Sequence, residues 1–499
     1  MSISNIFSIS QSSLESSQTA IQTTARNIAN ANTPGYSCRE IHMSEISSIK
    51  DESLISQLIS GVKVEEIART YNDLLTNQVT QMQQSKSEWA AKEEILSNIE
   101  SIIGENNGVA LNDALNEFWG AWQKLTQNPS SIPERNELIS KTNNLSERFN
   151  NISEIFTNVR SQIENQIDQS LGKVNTLLEE LSNINIAVIK NYKLTDIQSQ
   201  ENLNALLDER DKVVEEISGL IGHNSWKSDN GTINSTAGGT SLLEGNNYSS
   251  FQATYEMNNG EYTVHIVNER GHEIKTDQLT GGEIKGLVDS YQDIVPSISE
   301  KIDDLAYYFI KEVNILHGGD SSAINFNGGY DLYSNSGEAF FDEGKISGLT
   351  DDNHMGAANR IAISTAILND PKKIAAALPL LGRDTTVSAD NPVNYNNNEN
   401  AKAITELQHT QISELGNQTF NEYYSSNLAQ IGQDVQNAQN NSEYYQTMYQ
   451  QFSDRKQALT GVSLDEQFIN LIKYQTTYNA SAKMVNVADE MLQTIINLI

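Results

Sequence analysis

Residues 464–499, LDEQFINLIKYQTTYNASAKMVNVADEMLQTIINLI, have the clearest helical periodicity in the chain. Apolar and aromatic side chains recur there at alternating spacings of four and three residues, which places them along one face of a helix. A second apolar row adjoins the first, so the face is too wide for a two-stranded coil and predicts several neighbours. We assign to this C-terminal surface the side chains Leu464, Phe468, Leu471, Tyr478, Ala482, Val485, Met491, Leu492, Ile495 and Ile496.

Residues 1–36 also have a helical pattern, with Glu15 and Arg26 as their only charged groups. Their apolar stripe is Ile3, Phe7, Leu14, Ile21 and Ile28, with Ser10, Ser17 and Thr24 at the intervening positions. A narrow stripe that is half apolar and half small and polar predicts close contact between helices. The alternative is a terminal helix that packs on its own domain. Ends of soluble domains are usually polar and frayed, so two apolar-faced ends predict surfaces that a partner buries.

The first helix is predicted to end at the turn Asn32-Thr33-Pro34-Gly35-Tyr36. Pro34 disfavours helical backbone at Thr33, and Pro-Gly suits the centre of a type II turn in which Gly35 has a positive φ. We expect Asn32 to adopt the left-handed cap conformation. Tyr36 then begins an extended segment, and Asn32, Pro34, Gly35 and Tyr36 join the predicted N-terminal assembly surface.

Helical periodicity also dominates the middle of the chain, at about 62–103, 135–221, 283–316 and over the final hundred residues. A heptad spacing at Ile163, Ile167, Val174, Leu177, Leu181, Ile184 and Val188 predicts a coiled-coil-like hairpin or bundle. We read the alternating charges of Asp208-Glu209-Arg210-Asp211 as the exposed face of the following helix. Residues 37–60 are weakly periodic, which favours extended or irregular structure.

Two Gly- and Asn-rich regions, 223–282 and 317–398, interrupt the helices. The first alternates like strands separated by turns, as in Tyr262-Thr263-Val264-His265-Ile266-Val267. We expect short strands and one short helix, near 371–377, in the second.

The predicted fold is mainly α with β insertions, in which the N- and C-terminal helices pair in a coiled-coil or bundle core. The predicted divisions are a terminal α-helical assembly domain (1–60 plus 461–499), a helical core domain (61–222 plus 283–316 plus 399–460) and β-rich projecting domains (223–282 plus 317–398).

Composition excludes several classes of function. The formal net charge of −32 over 499 residues repels phosphate backbones and anionic lipid headgroups, so a nucleic-acid partner is not expected. Cys38 is the only cysteine, which excludes an intramolecular disulfide and C-x-x-C metal sites. No apolar run reaches the roughly 18–20 residues of a membrane span. No cleavable secretory signal is visible, so we expect either a cytoplasmic protein or export that keeps the N-terminus.

The sequence predicts no enzyme, no cofactor and no metal site. No nucleophile elbow, phosphate-binding loop, dinucleotide fingerprint or H-E-x-x-H spacing occurs. His317 and His354 could contribute to a metal site, but loops with surface polar groups are the favoured interpretation of that region. Paired carboxylates are abundant, yet the sequence places none across a cleft as glycosidase chemistry requires.

The segment Asn27-Ile28-Ala29-Asn30-Ala31-Asn32-Thr33-Pro34-Gly35-Tyr36-Ser37 resembles the N-terminal motif of the flagellar axial proteins, which are the rod, hook and hook-associated components. Further segments are similar to the hook-associated members: Leu206–Asp211, Gly281–Leu287, Val313–His317, Gly461–Glu466, Leu471–Gln475, Tyr478–Ala482 and Asp489–Leu492. Cys38 departs from the expected polar residue, and regions 223–282 and 317–398 match weakly.

The resemblance implies a structural adaptor that joins the flagellar hook to the filament by polymerising through its terminal helices. It implies export through the flagellar type III apparatus without signal cleavage, and an extracellular location at the hook–filament junction. The implied partners are copies of the same chain, the hook protein, the second junction protein (hook-associated protein 3) and an export chaperone on the C-terminal helix.

Two alternatives stay open at this point. The chain could be another axial component, such as a hook or distal rod protein. The segments Leu206–Asp211 and Gly281–Leu287 argue against this alternative, because hook and rod proteins are dominated by β-structure outside their ends. A protein of a different class, an exported enzyme such as a peptidoglycan hydrolase, is the second alternative.

Overall fold

A computed structural model describes residues 3–46, 61–104, 111–194, 196–258, 260–318, 328–378 and 396–498. Residues 47–60 of the predicted irregular segment, and parts of the 317–398 region, lie outside these ranges. The helices found within them are not long and apolar enough to cross a bilayer.

Most of the described chain is helical. The helices are α1 (Ile3–Ala29), α2 (Asp73–Ile103), α3 (Leu111–Gln127), α4 (Ile132–Tyr192), α5 (Ile197–Leu220), α6 (Glu283–Asp289), α7 (Val295–Gly318), α8 (Ala357–Arg360), α9 (Thr365–Asn369), α10 (Glu399–Glu406), α11 (Phe420–Thr460) and α12 (Leu464–Leu498). A π-helical turn, Ser290–Ile294, joins α6 to α7. Because α1 packs along α12 and α2 packs along α11, both ends of the chain contribute to one helical framework.

The strands in the described ranges form three small antiparallel sheets. They are β1 (Arg39–Glu45), β2 (Val62–Arg69), β3 (Asn224–Lys227), β4 (Ile233–Ala237), β5 (Thr240–Glu244), β6 (Asn247–Tyr248), β7 (Phe251–Asn258), β8 (Glu261–Asn268) and β9 (Glu273–Ile274). β1 pairs with β2, β3 to β6 form a four-stranded sheet, and β7 to β9 form a three-stranded sheet. Strands β3 to β9 all lie within 223–282, as the alternation predicted, and the mainly α fold with mid-chain β insertions is confirmed.

The core of the helical body is apolar and aromatic. Phe118 and Trp119 of α3 pack edge to face, with ring centroids 4.9 Å apart, and Phe118 lies 5.1 Å from Phe309 of α7. The predicted heptad residues of α4 are buried apart from Leu177, which is half-buried. Such closely packed apolar surface stabilises a domain without help from a partner.

A buried cation fixes the N-terminal end of α4. Arg135 is 1% exposed, and its guanidinium donates hydrogen bonds to Pro129 O at 2.7 Å and to Ile374 O at 2.6 Å. Burial lowers the pKa of Arg135 to about 10. These bonds tie the segment around the 3-10 turn Pro371–Lys373 to the helical body.

The predicted helix over 62–103 is wrong at its beginning. Residues Val62–Arg69 form strand β2, which pairs with β1 across a bulge between His42 and Met43. The β-branched residues Val62, Val64 and Ile67 suit a strand once the distant segment 39–45 supplies a partner. The periodicity of residues 62–69 alone contains no information about this pairing with a distant segment. The predicted domain boundary between residues 60 and 61 therefore falls between the two paired strands and assigns them to different domains.

Other helical stretches are interrupted where the sequence predicted continuity. The stretch 135–221 divides into α4 and α5, and Asp196 caps α5 by accepting the Ser199 amide at 3.0 Å. Residues 407–419 form 3-10 turns rather than a helix, and Gly416 and Asn417 have positive φ there. Within the 317–398 region, residues 328–378 have short helical turns and isolated bridges instead of the predicted strands.

Candidate assembly surface

The two terminal helices pair through a polar seam. Ser13 of α1 and Ser481 of α12 share a hydrogen bond of 2.7 Å, and Asn27 Nδ2 donates to Gln467 Oε1 at 3.0 Å. The partner moves back along α12 as the chain advances along α1, so the two helices run antiparallel. Small polar residues bring two helices close and fix their register, but they bury little apolar surface.

The predicted apolar stripe of α1 lies beside this seam. Ile3, Leu14, Ile21 and Ile28 are half-buried and Phe7 is 43% exposed. The positions between them are instead the buried ones, with Ser10, Ser17 and Thr24 each at most 3% exposed. The small polar half of the predicted stripe is therefore its buried half.

Most of the predicted C-terminal surface is open to solvent. Of its members, Leu471, Ala482 and Val485 are half-buried, and the exposed ones are Leu464, Phe468, Tyr478, Met491, Leu492, Ile495 and Ile496. Sequence reasoning left out the exposed residues Ile469, Ile472 and Val487. Ile472 is 64% exposed, and the side chains that α12 buries over 464–496 are Gln467, Ser481 and Ala488.

The exposed face of α12 is unusual for a soluble helix because its large apolar side chains form neighbouring rows rather than isolated positions. Scattered apolar residues are normal on a protein surface, whereas contiguous apolar patches mark contact sites. The exposed apolar side chains run from Leu464 to Ile496, which suits contact with other helices.

The turn after α1 has the predicted type II geometry. The Tyr36 amide donates to Thr33 O at 3.2 Å, and Gly35 has a φ of 82°. Asn32, Pro34 and Gly35 are exposed and Tyr36 is half-buried. The left-handed cap predicted at Asn32 is wrong, since Asn32 is not among the residues with positive φ; Gly35 provides the chain reversal instead.

Asn27 connects the turn to both helices, and sequence reasoning missed it. Its side-chain oxygen accepts from Tyr36 Oη at 2.7 Å and from the Arg39 amide at 3.0 Å, while Nδ2 donates to Arg39 O and to Gln467. Asn27 is 1% exposed, so this fully bonded amide fixes the helix register. Burial raises the pKa of the Tyr36 phenol to about 12, which keeps it a hydrogen-bond donor.

His317 and His354, which the sequence offers as contributors to a metal site, bond other groups in the structure. His317 is buried, its Nδ1 lies 2.6 Å from Glu338 O, and its Nε2 accepts the Ala375 amide at 2.8 Å. His354 instead pairs with Asp304. Over the described ranges, no group of three metal-binding side chains comes together.

Three family models match successive parts of the chain. Residues 7–36 match the flagella basal body rod protein model, and residues 458–498 match the flagellar basal body rod FlgEFG protein C-terminal model. These two ranges contain the type II turn and α12. Residues 96–341 match the flagellar hook-associated protein FlgK helical domain.

The chain belongs to the flagellar hook-associated protein 1 (FlgK) family. It is 26% identical to flagellar hook-associated protein 1 of Bacillus subtilis, over 97% of this chain and 96% of the relative. It is 23% identical to flagellar hook-associated protein 1 of Escherichia coli, over 99% of this chain and 100% of the relative. The FlgK helical-domain match separates it from the rod and hook proteins.

A solved structure has the same fold. The flagellar hook junction protein FlgK from Burkholderia pseudomallei superposes with a TM-score of 0.61 at 14% identity, covering 77% of this chain and 100% of that one. The FlgK family consists of structural components of the flagellum rather than enzymes. This chain is therefore a flagellar axial component.

The segment Gly281–Leu287, which is similar to the hook-associated proteins in sequence, lies where α6 packs on α2. There the Gly282 amide donates to Gln84 O at 2.9 Å. A Cβ at Gly286 would lie 2.4 Å from Glu88 O, so the two helices approach too closely for a larger residue. This FlgK segment thus serves the packing of the helical body, while the ends of the chain carry the candidate assembly surface.

Proposed function

We propose that this protein is the adaptor that joins the flagellar hook to the filament, and that it polymerises through its terminal helices. One observation carries the proposal: α12 exposes rows of large apolar side chains, while the side chains that it buries beside α1 are small or polar. The Burkholderia relative is named a hook junction protein, which supports the same position in the flagellum. Filament assembly would then require the protein.

Burial between subunits supplies the driving force for assembly in this proposal. A Leu- or Phe-sized side chain contributes about 1.5–3 kcal/mol when it is fully buried. Ordering the backbone opposes this by roughly 1–2 kcal/mol per residue. Because the two contributions nearly cancel, the terminal helices would be weakly stable in the monomer and would become stable when neighbouring subunits cover α12.

The same surface would meet several partners in turn. Before export, the flagellar chaperone would cover the apolar face of α12; afterwards, copies of the chain, the hook protein and hook-associated protein 3 would replace it. We propose export by the flagellar type III apparatus without cleavage, and an extracellular position at the junction. In this arrangement the terminal helices form the inner assembly domain, the helical body surrounds it, and the β-rich regions project outward.

A charge placed on the exposed face of α12 tests the proposal. The variant Ile472→Asp would be compared with Gln451→Asp, which adds the same charge at an exposed position of α11. A strain lacking the protein should have bare hooks and shed flagellin into the medium. Wild type and Gln451→Asp should restore filaments in electron micrographs.

The Ile472→Asp variant should lower the filament count by roughly tenfold or more, because burying an unpaired carboxylate opposes assembly by several kcal/mol. Circular dichroism of the purified variant should match wild type. Normal filament numbers on cells producing Ile472→Asp would refute assembly through this face, and normal filaments on the strain lacking the protein would refute the junction role.

A further inference from the structure

Helix α5 holds the β1–β2 hairpin through a row of polar side chains. Gln200 Oε1 accepts the Ile67 amide at 2.8 Å, and Asn204 Nδ2 donates to Ile67 O at 2.6 Å. These two side chains therefore bond both backbone groups of one residue in β2. Ile67 itself is 2% exposed, so its backbone is bonded away from water.

The row continues along α5 as carboxylates that face arginines of the hairpin. Asp208 accepts from Arg39 at 2.5 Å and from Arg69 at 3.2 Å, and the Ser37 amide lies 3.3 Å from Asp208 Oδ2. Asp211 accepts from Arg69 at 2.8 Å. The side chains of Arg39, Arg69 and Asp208 are 5%, 7% and 11% exposed. The expectation that these charges form an exposed helix face is therefore wrong for Asp208 and Asp211, and also for Arg210, which is 1% exposed and donates to Gly231 O at 3.1 Å.

The N-terminal turn of α5 reaches the first terminal helix directly. Glu201 pairs with Arg26 of α1 and also accepts from Thr23 Oγ1 at 3.4 Å. We use the name α5 polar row for Gln200, Glu201, Asn204, Asp208 and Asp211. Their spacing places them on one face of the helix.

The covalent connections alone leave the orientation of the terminal helices free. The terminal unit joins the helical body through Thr70–Asn72, between β2 and α2, and through Gly461–Ser463, between α11 and α12. These connections lie side by side, because Cys38 donates its amide to Thr460 O at 2.7 Å and accepts the Thr70 amide at 2.8 Å. Two adjacent connections allow rotation, and a third contact away from them is needed to stop it.

We propose that the α5 polar row is a latch that sets the orientation of the terminal helix pair on the helical body, and that assembly requires this orientation. The proposal rests on the proposed assembly function of the terminal helices. Paired, buried polar groups are suited to this task because they specify geometry more than they add stability. The latch would place the apolar face of α12 where neighbouring subunits can bury it.

Hydrogen–deuterium exchange on the full-length, unassembled protein tests the latch separately from assembly. Asp208→Ala would be compared with Glu209→Ala, which removes a charge from an exposed position of the same helix. Peptides covering residues 36–45 and 61–71 should exchange on the order of tenfold faster in Asp208→Ala than in wild type. Peptides from α4 should be unchanged in both variants, which shows that the body is folded.

Filament counts on cells producing the same variants complete the test. Asp208→Ala should lower the count and Glu209→Ala should not. Unchanged exchange in Asp208→Ala, or rapid exchange of the hairpin in wild type, would overturn the latch. Faster exchange with normal filaments would overturn its role in assembly, while leaving the proposed junction function intact.

A charge exchange provides a second, independent variant. Arg26→Glu should speed exchange in residues 61–71 and lower the filament count, because it places two carboxylates together. The double variant Arg26→Glu with Glu201→Arg restores opposite charges and should recover both readouts. A double variant no better than Arg26→Glu alone would contradict a latch based on this pair.

Discussion

The interiors of the helical body and of the terminal helix pair differ in polarity. In the body, Phe118, Trp119 and Phe309 fill an aromatic core from which water is excluded. In the terminal pair, Ser13, Asn27 and their partners occupy the interior, and large apolar side chains lie outside. The body therefore has the interior of a domain that is stable alone, and the exposed apolar face of the terminal pair supports the proposal that other molecules complete it.

The largest expected difference in the free energy of unfolding is between truncating a side chain in the core of the body and truncating one on the surface of α12. Trp119→Ala should lower the free energy of unfolding by about 3–5 kcal/mol because it leaves a cavity in the body. Ile472→Ala, at a residue of similar apolar character on α12, should change it by less than about 0.5 kcal/mol in the monomer. Urea unfolding followed by circular dichroism measures both. Comparable losses would mean that the monomer already buries the α12 face.

The two regions should also differ in how their stability depends on pH. The body has buried histidines, whereas the sequences of α1 and α12 contain none. Burial lowers the pKa of His317 to about 4 and that of His223 to about 4. The unfolded chain has the ordinary histidine pKa of about 6.5, so it binds protons first as the pH falls. Stability is therefore present at neutral pH and is lost as the pH drops through about 6.5 toward 4.

We expect each buried histidine to lower the free energy of unfolding of the body by about 2 kcal/mol between about pH 7 and about pH 5. Protonation of His317 would place an N–H against the Ala375 amide, with Arg135 and Glu338 as its charged neighbours. Urea unfolding of wild type and His317→Gln at both pH values measures this. An unchanged pH dependence in His317→Gln would contradict the role of His317.

The smallest expected difference in stability is between alanine substitutions at two glycines, one in the body and one in the turn after α1. Gly286→Ala should destabilise the body by about 1–3 kcal/mol, because the added Cβ meets Glu88 O at 2.4 Å where α6 packs on α2. Gly35→Ala, in the exposed turn, should cost about 1 kcal/mol through its positive φ alone, since no atom lies within 4 Å of its Cβ. Thermal unfolding should therefore respond to Gly286→Ala, while Gly35→Ala should act on exchange rates near the turn.

Sequence periodicity predicted the parts of the molecule that are determined locally. The α4 heptads, the strand alternation in 261–268 and the Pro34-Gly35 turn follow from neighbouring residues, and all three are present. Residues 62–69 were predicted incorrectly because their strand needs a partner far away in the sequence. No local pattern supplies that information.

The candidate surface was predictable in composition but not in orientation. Periodicity identified the apolar rows of α12, yet it could not show that Ser481 and Gln467 form the contact with α1. The role of Asp208 was missed for a related reason, since a charged residue on a helix is usually solvated and its arginine partners lie in β1 and β2. Buried polar contacts between distant segments have no periodic signature.

Cysteine labelling tests the central claim, burial of the α12 face on assembly, most directly. Ile472→Cys and Ser241→Cys would be made separately with Cys38→Ser, since Cys38 is the only native thiol. Ser241 is exposed in β5, within a region proposed to project outward. A maleimide should label both cysteines in the purified monomer. In flagella isolated with their filaments, labelling at residue 472 should fall by at least roughly tenfold and labelling at residue 241 should persist. Equal labelling of residue 472 in the monomer and in assembled flagella would contradict the account.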